Sequence, residues 1–169
     1  MKKTLLVLML VGSYAAAQET MAALGVTEPD EGQAFYRKGE FSLDTFGGLR
    51  TSDFDSEKSH VGVGMNYFLT ENIGAGVATS WEDASGQFFD NISVRGIYRI
   101  PIDKNAIYGF AGGQFLFDND DWAAELGVGV ERRWTRHFGT FLEIGMHKEL
   151  TGEERPASAT AKVGVRIPF

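Results

Sequence analysis

The sequence contains no cysteine, which excludes a disulfide framework, a thiolate nucleophile and a zinc–thiolate site. Proline is scarce, at four residues, and no run approaches the ~18 consecutive apolar residues of a membrane-spanning helix. Bases are outnumbered, 16 Lys and Arg against 23 Asp and Glu, and none form a tract, which argues against nucleic acid as the main partner. Charge and apolar content are nevertheless those of a folded chain, not of a disordered one. What the sequence has in excess is glycine, 21 of 169 residues, together with 12% aromatics, 13 of them Phe. That composition suits many short strands rather than helices.

Residues 1–17 read as a cleaved signal peptide. Lys2 and Lys3 form the basic start, Thr4 to Gly12 is apolar, and Ala15-Ala16-Ala17 supplies a small-residue site with cleavage between Ala17 and Gln18. The apolar run is too short for a retained anchor. Residues 18–38 form a polar lead-in that contains Pro29 and shows no sustained period. From 39 to 169 the period is two almost throughout, which predicts strands.

Eight such segments follow one another. Leu43 and Thr45 alternate with Ser42, Asp44 and Phe46; Val61, Val63, Met65 and Tyr67 with Gly62, Gly64, Asn66 and Phe68; Ile73, Ala75 and Val77 with Gly74, Gly76 and Ala78. Ile92, Val94 and Tyr98 face away from Ser93, Arg95 and Arg99, with Ile97 on the polar side. In the fifth segment Tyr108, Phe110 and Leu116 are offset from Gly109, Ala111 and Gly113, and Ile107 and Phe115 fall on the polar face; the pattern leaves the phase of the fourth and fifth segments open. Leu126, Val128 and Val130 alternate with Glu125, Gly127 and Glu131; Leu142 and Ile144 with Glu143 and Gly145; Val163, Val165 and Ile167 with Lys162, Gly164 and Arg166.

The connectors differ in length on the two sides. Thr70 to Asn72, Pro101 to Asn105 and Thr135 to His137 are short, whereas Thr51 to Lys58, Glu82 to Asp90, Asp118 to Asp121 and Leu150 to Ser158 are mostly longer and acidic. Segments of about ten alternating residues, joined by turns on one side and loops on the other, predict a closed, eight-stranded, antiparallel up-and-down transmembrane β-barrel. Ten residues at ~3.3 Å rise and ~40° tilt cover the lipid-facing band of about 25 Å.

The alternative, a soluble barrel, would keep its charges outside. Here the charged face holds Glu40, Asp44, Glu125, Glu131 and Glu143 with Arg50, Arg95, Arg99, Lys162 and Arg166, and most of the rest of it is small. Balanced ions among glycines suit a tight lumen, and the other face, nearly free of charge, suits lipid. Glu125, Glu131 and Glu143 are expected to meet Lys162 and Arg166 from the last strand. Two aromatic belts are also expected at interfacial height: Tyr67, Tyr98, Tyr108, Trp134, Phe138 and Phe169 beside the turns, and Trp81, Phe88, Phe89, Phe117 and Trp122 beside the loops.

The ending Ala161-Lys162-Val163-Gly164-Val165-Arg166-Ile167-Pro168-Phe169 resembles the C-terminal signature by which bacterial outer-membrane barrels are handed to their assembly machinery, with Val163, Val165, Ile167 and Phe169 as its apolar positions. The stretch from Val61 to Gly76 resembles the second hairpin of small barrels such as the opacity proteins, outer-membrane protein X and the N-terminal barrel of outer-membrane protein A. The resemblance covers residues from about 39 to the end. It implies an outer-membrane location with extracellular loops and periplasmic termini, and partners among outer-membrane lipids, lipopolysaccharide and the assembly machinery. It implies no wall-anchoring domain.

Enzyme chemistry is weakly signalled. Gly62-Val63-Gly64 and its kin sit on strands and open no helix, so nucleotide binding is not expected. Ser59, His60 and Asp55 stand near one rim, but the His-x-Ser arrangement of lipid A deacylases is absent; His137 falls in a turn, and His147 is predicted to face the lumen. Asp118-Asn119-Asp120-Asp121 lacks the glycine and distal Glu of an EF-hand loop. The longer loops together hold eleven acids against Lys58 and Arg155, so lipopolysaccharide phosphates would need Mg²⁺ or Ca²⁺ as a bridge. The expected function is therefore that of a monomeric, non-catalytic outer-membrane barrel with a closed, charged lumen and no cofactor, serving envelope integrity or surface interaction. The rival readings are a small-solute transport barrel, an outer-membrane lipid-modifying enzyme and a soluble periplasmic barrel.

Overall fold

The computed structural model describes residues 35–52, 56–82, 90–117, 120–150 and 157–169. The expected cleavage site at Ala17 and Gln18, the rim residues Phe88 and Phe89, and most of the loop acids lie outside them.

Eight strands run in chain order: β1 (Phe41–Ser52), β2 (Ser56–Phe68), β3 (Ile73–Glu82), β4 (Asn91–Ile102), β5 (Asn105–Leu116), β6 (Asp121–Thr135), β7 (Phe138–Glu149) and β8 (Ser158–Pro168). Each pairs antiparallel with the next, and β8 closes on β1, so that Asp44 stands between Gly64 on β2 and Arg166 on β8. Closure leaves no free sheet edge.

The alternation in the sequence becomes an inside and an outside. Outward residues are hydrocarbon and open: Leu126 is 65% exposed, Val94 62% and Ile144 57%. Inward, the largest fully buried side chains are Arg99, Arg133 and Arg166. This reverses the soluble-protein pattern and is the arrangement of a barrel whose outer solvent is lipid.

The ends that carry the short turns are tightly built. Thr70 Oγ1 accepts hydrogen bonds from the Asn72 and Ile73 amides at 3.2 and 2.9 Å, and the Asn72 side chain donates to the Arg99 carbonyl at 3.0 Å. Asp103 and Lys104 alone join β4 to β5, with Asp103 in the left-handed region (φ 55°) that Asp tolerates in turns. Pro101 is thus inside β4, and the connectors expected at 51–58 and 101–105 are shorter than read, because pairing continues beyond the alternating core of each strand. At Trp134 a bulge shifts the β6–β7 register between Arg133 and Thr135.

The fifth strand corrects the sequence reading. Tyr108, Phe110 and Leu116 point inward, exposed by 8% at most, while Ile107 is outward and 52% exposed. Phe115 is outward too, its ring 5.3 Å from that of Trp122. Tyr108 therefore leaves the expected aromatic belt. The assumption that large apolar residues must face lipid fails where neighbouring glycines make room for rings inside.

Candidate functional site: the charged lumen

Five lumenal rings lie across the strand pair from a glycine: Phe46 from Gly62, Phe68 from Gly74, Phe110 from Gly127, Tyr108 from Gly129 and Phe141 from Gly164. A β-carbon at any of these five glycines would collide with the facing ring. The small residues of the inner face are the seats on which aromatic filling rests.

Between the rings runs a chain of alternating charge at the short-turn end. Arg99 Nη1 donates to Glu40 Oε1 at 2.8 Å, and Arg133 Nη2 donates to the same oxygen at 2.7 Å. Arg133 Nε also donates to Glu131, whose other oxygen accepts from Arg166 Nη1. Arg166 then holds Asp44 with two parallel bonds, Nε to Oδ1 at 2.8 Å and Nη2 to Oδ2 at 2.7 Å, and Asn66 donates to Asp44 Oδ2 at 2.7 Å. Three bases and three acids from β4, β6, β8, β1 and the residue preceding β1 are thereby joined. All six are 2% exposed or less. Arg166–Asp44 alone has the bidentate geometry that best offsets such burial, while Arg99 Nη2 and Arg133 Nη1 find no hydrogen-bond partner among the described residues.

Tyr36, ahead of β1, belongs to the same assembly. It is 3% exposed, with Arg99 and Arg133 over its ring at 4.7 and 4.9 Å, and its hydroxyl donates to the Lys104 carbonyl at 3.3 Å. Gly39, at φ 76°, turns the chain between Tyr36 and β1. Arg99 is also stacked on Phe68 at 3.5 Å.

A second group sits deeper. Arg95 Nη1 donates to Glu143 Oε2, and the Tyr108 hydroxyl donates to Glu143 Oε1, both at 2.9 Å. Towards the loop end the contacts loosen: Lys162 Nζ is 3.6 Å from Glu125 Oε1, and Arg50 Nη2 reaches Gln114 Oε1 at 3.4 Å and His147 Nδ1 at 3.3 Å.

All ten charged residues expected in the lumen lie on the inner face or at its lip, but they form separate groups. Glu40, Asp44, Arg99, Glu131 and Arg166 share one network, Arg95 and Glu143 a second, Glu125 and Lys162 a third, and Arg50 stands with Gln114 and His147. The last strand does supply Arg166 to Glu131 and Lys162 to Glu125, but the base on Glu143 comes from β4. Sequence reasoning missed Arg133, although continuing the inward series Glu125, Gly127, Gly129, Glu131 by one step reaches it. Tyr36 carried no periodic signal.

The histidines are dispersed. His60 is buried with its ring 6.2 Å from Phe46, on the opposite face of β2 from the exposed Ser59. His137 Nδ1 lies 3.1 Å from the Pro168 carbonyl. In the terminal segment, Val163 and Ile167 are outward and Phe169 packs beside Phe41, ring centroids 6.1 Å apart.

Residues 4–169 match a family model described as the outer membrane protein beta-barrel domain. Among solved structures, the N-terminal β-barrel domain of Pseudomonas aeruginosa OprF is similar at 17% identity, with a TM-score of 0.61 over 79% of this chain and 99% of that one. Neisserial surface protein A gives 14% identity and a TM-score of 0.57 over 82% of this chain and all of that one. A de novo designed transmembrane β-barrel gives 17% identity and 0.62, over 79% of this chain and 98% of the design. No curated protein matches the sequence.

Proposed function

The chain belongs to the outer membrane protein β-barrel domain family, and from that premise we propose that it is a monomeric, non-catalytic scaffold of the outer membrane, closed to solutes and serving envelope integrity or surface interaction. The observation that carries this reading is the neutral six-ion chain from Arg99 to Asp44, sealed from below by Tyr36. An eight-stranded barrel is just wide enough inside for side chains to fill it or for one small ligand, and here buried ions bonded to one another occupy that width at the short-turn end. A transport barrel for a small apolar solute would need a continuous apolar path, and here paired charges stand between the lumenal rings.

In this reading residues 1–17 are removed on export, the acidic loops face outward and the termini lie in the periplasm. Lipopolysaccharide phosphates meet the loops through divalent cations. The purified barrel in planar bilayers tests the closed state. Absence of a steady, large conductance is the expected result, and a stable open pore overturns it. Intact mass of the envelope-bound protein tests export: the N-terminus should be Gln18.

A further inference from the structure

The outside of the barrel is charged unequally along its axis. Apart from the lumenal ions, the short-turn end presents Arg37, Lys38, Lys104, Arg132 and Arg136 against Glu71 and Asp103 among the described residues. The connectors at the other end are acidic in sequence.

Within this basic collar the β6–β7 hairpin is distinct. The β6–β7 register shifts between Arg133 and Thr135, which sets Trp134 at a bulge beside the outward-pointing Arg132. The Arg132 guanidinium lies over the indole at 4.6 Å, and the indole Nε1 donates to Thr140 Oγ1 at 3.0 Å, which fixes the ring. Among the described residues Arg132 meets no carboxylate, and Arg136 Nε in the adjoining turn is buried without a hydrogen-bond partner. One step towards the middle of the barrel the surface becomes hydrocarbon: Val130 is 51% exposed, flanked in register by the outward Ile107 and Leu142.

A guanidinium held against an indole at the edge of an apolar belt stands at headgroup depth, where Trp also prefers to lie. Its free donors match phosphate oxygens two at a time. We propose that Arg132, Trp134 and Arg136 form a binding site for the phosphate of an anionic phospholipid, whose acyl chains lie along Ile107, Val130 and Leu142. The leaflet rests on the orientation proposed above; the site itself does not.

The test reconstitutes the full barrel in bilayers of equal phosphatidylglycerol and phosphatidylcholine and counts the lipid retained on detergent extraction by native mass spectrometry. Wild type should retain phosphatidylglycerol preferentially. Arg132→Gln should lose roughly fivefold of that preference, the loss expected for one interfacial base. Arg132→Lys, which keeps the charge and the fold, should fall between them. Lys148→Gln, an exposed base near the loop end, should behave as wild type. Equal retention by wild type and Arg132→Gln, or an equal loss in Lys148→Gln, overturns the site. Orientation is read separately: Lys38→Cys, in a chain with no other cysteine, should resist an impermeant maleimide on intact cells. Labelling there would overturn both the phospholipid leaflet and the proposed orientation, and it would leave the vesicle result intact.

Discussion

Arg95 on β4 holds Glu143 on β7 at 2.9 Å, although the residue directly opposite Glu143 on the next strand is Lys162. The pair therefore spans the lumen instead of following the sheet. It links strands that share no backbone hydrogen bonds, and Tyr108 from β5 completes it.

Removing one member of a pair this buried strands the other charge, at about 3–5 kcal/mol. Glu143→Ala should lower stability by that amount in urea unfolding of the lipid-reconstituted barrel. Adding Arg95→Ala should recover part of the loss, and adding Lys162→Ala should not. Equal recovery from both second changes would refute the cross-lumen assignment.

The glycine seats make a steric prediction. Gly127→Ala and Gly164→Ala drive a methyl group into the rings of Phe110 and Phe141 and against the backbone carbonyls of Ile144 and Thr45, whereas a β-carbon at Gly96 meets only the Ala111 carbonyl, at 3.8 Å. The first two should cost about 1–3 kcal/mol by overpacking. Gly96→Ala should be close to neutral in the same unfolding assay.

These two cases also mark how far the sequence reaches. Closed topology, strand number and the inward placement of residues such as Glu143 and Arg166 were legible, because a period of two separates the faces over whole strands and charge labels one of them. Partners across the lumen were not, since Arg95 and Glu143 are 48 positions apart and nothing local joins them. The phase of β5 is not legible in the sequence because Tyr108 and Phe110 resemble lipid-facing residues. Only their register with Gly129 and Gly127 on β6 reveals that the lumen seats them.

Tyr36 closes the short-turn end of the charge network. Tyr36→Ala removes a ring that two guanidinium groups share, and each such contact is worth about 0.5–2 kcal/mol. The variant should be measurably less stable and should pass brief, small ion currents that wild type does not. A variant as stable and as silent as wild type would show that Arg99 and Arg133 hold their places without it.

Phe169 separates folding from delivery. Its amide donates to the Phe41 carbonyl at 2.8 Å and its ring touches Phe41, yet the side chain stays 57% exposed. Its removal therefore subtracts little from the packed barrel, and refolding into synthetic vesicles should proceed with nearly unchanged yield. Insertion in cells should fall sharply if the apolar series Val163, Val165, Ile167 and Phe169 is read by the assembly machinery. Phe117→Ala serves as the control, since that aromatic is comparably exposed (46%) at the loop end and lies outside the terminal series. The readout is heat-modifiable mobility of the membrane fraction, compared between cells and vesicles. A loss in cells alone, confined to the Phe169 deletion, is the expected outcome. Equal cellular yields from both variants would remove the terminal segment from any role in assembly.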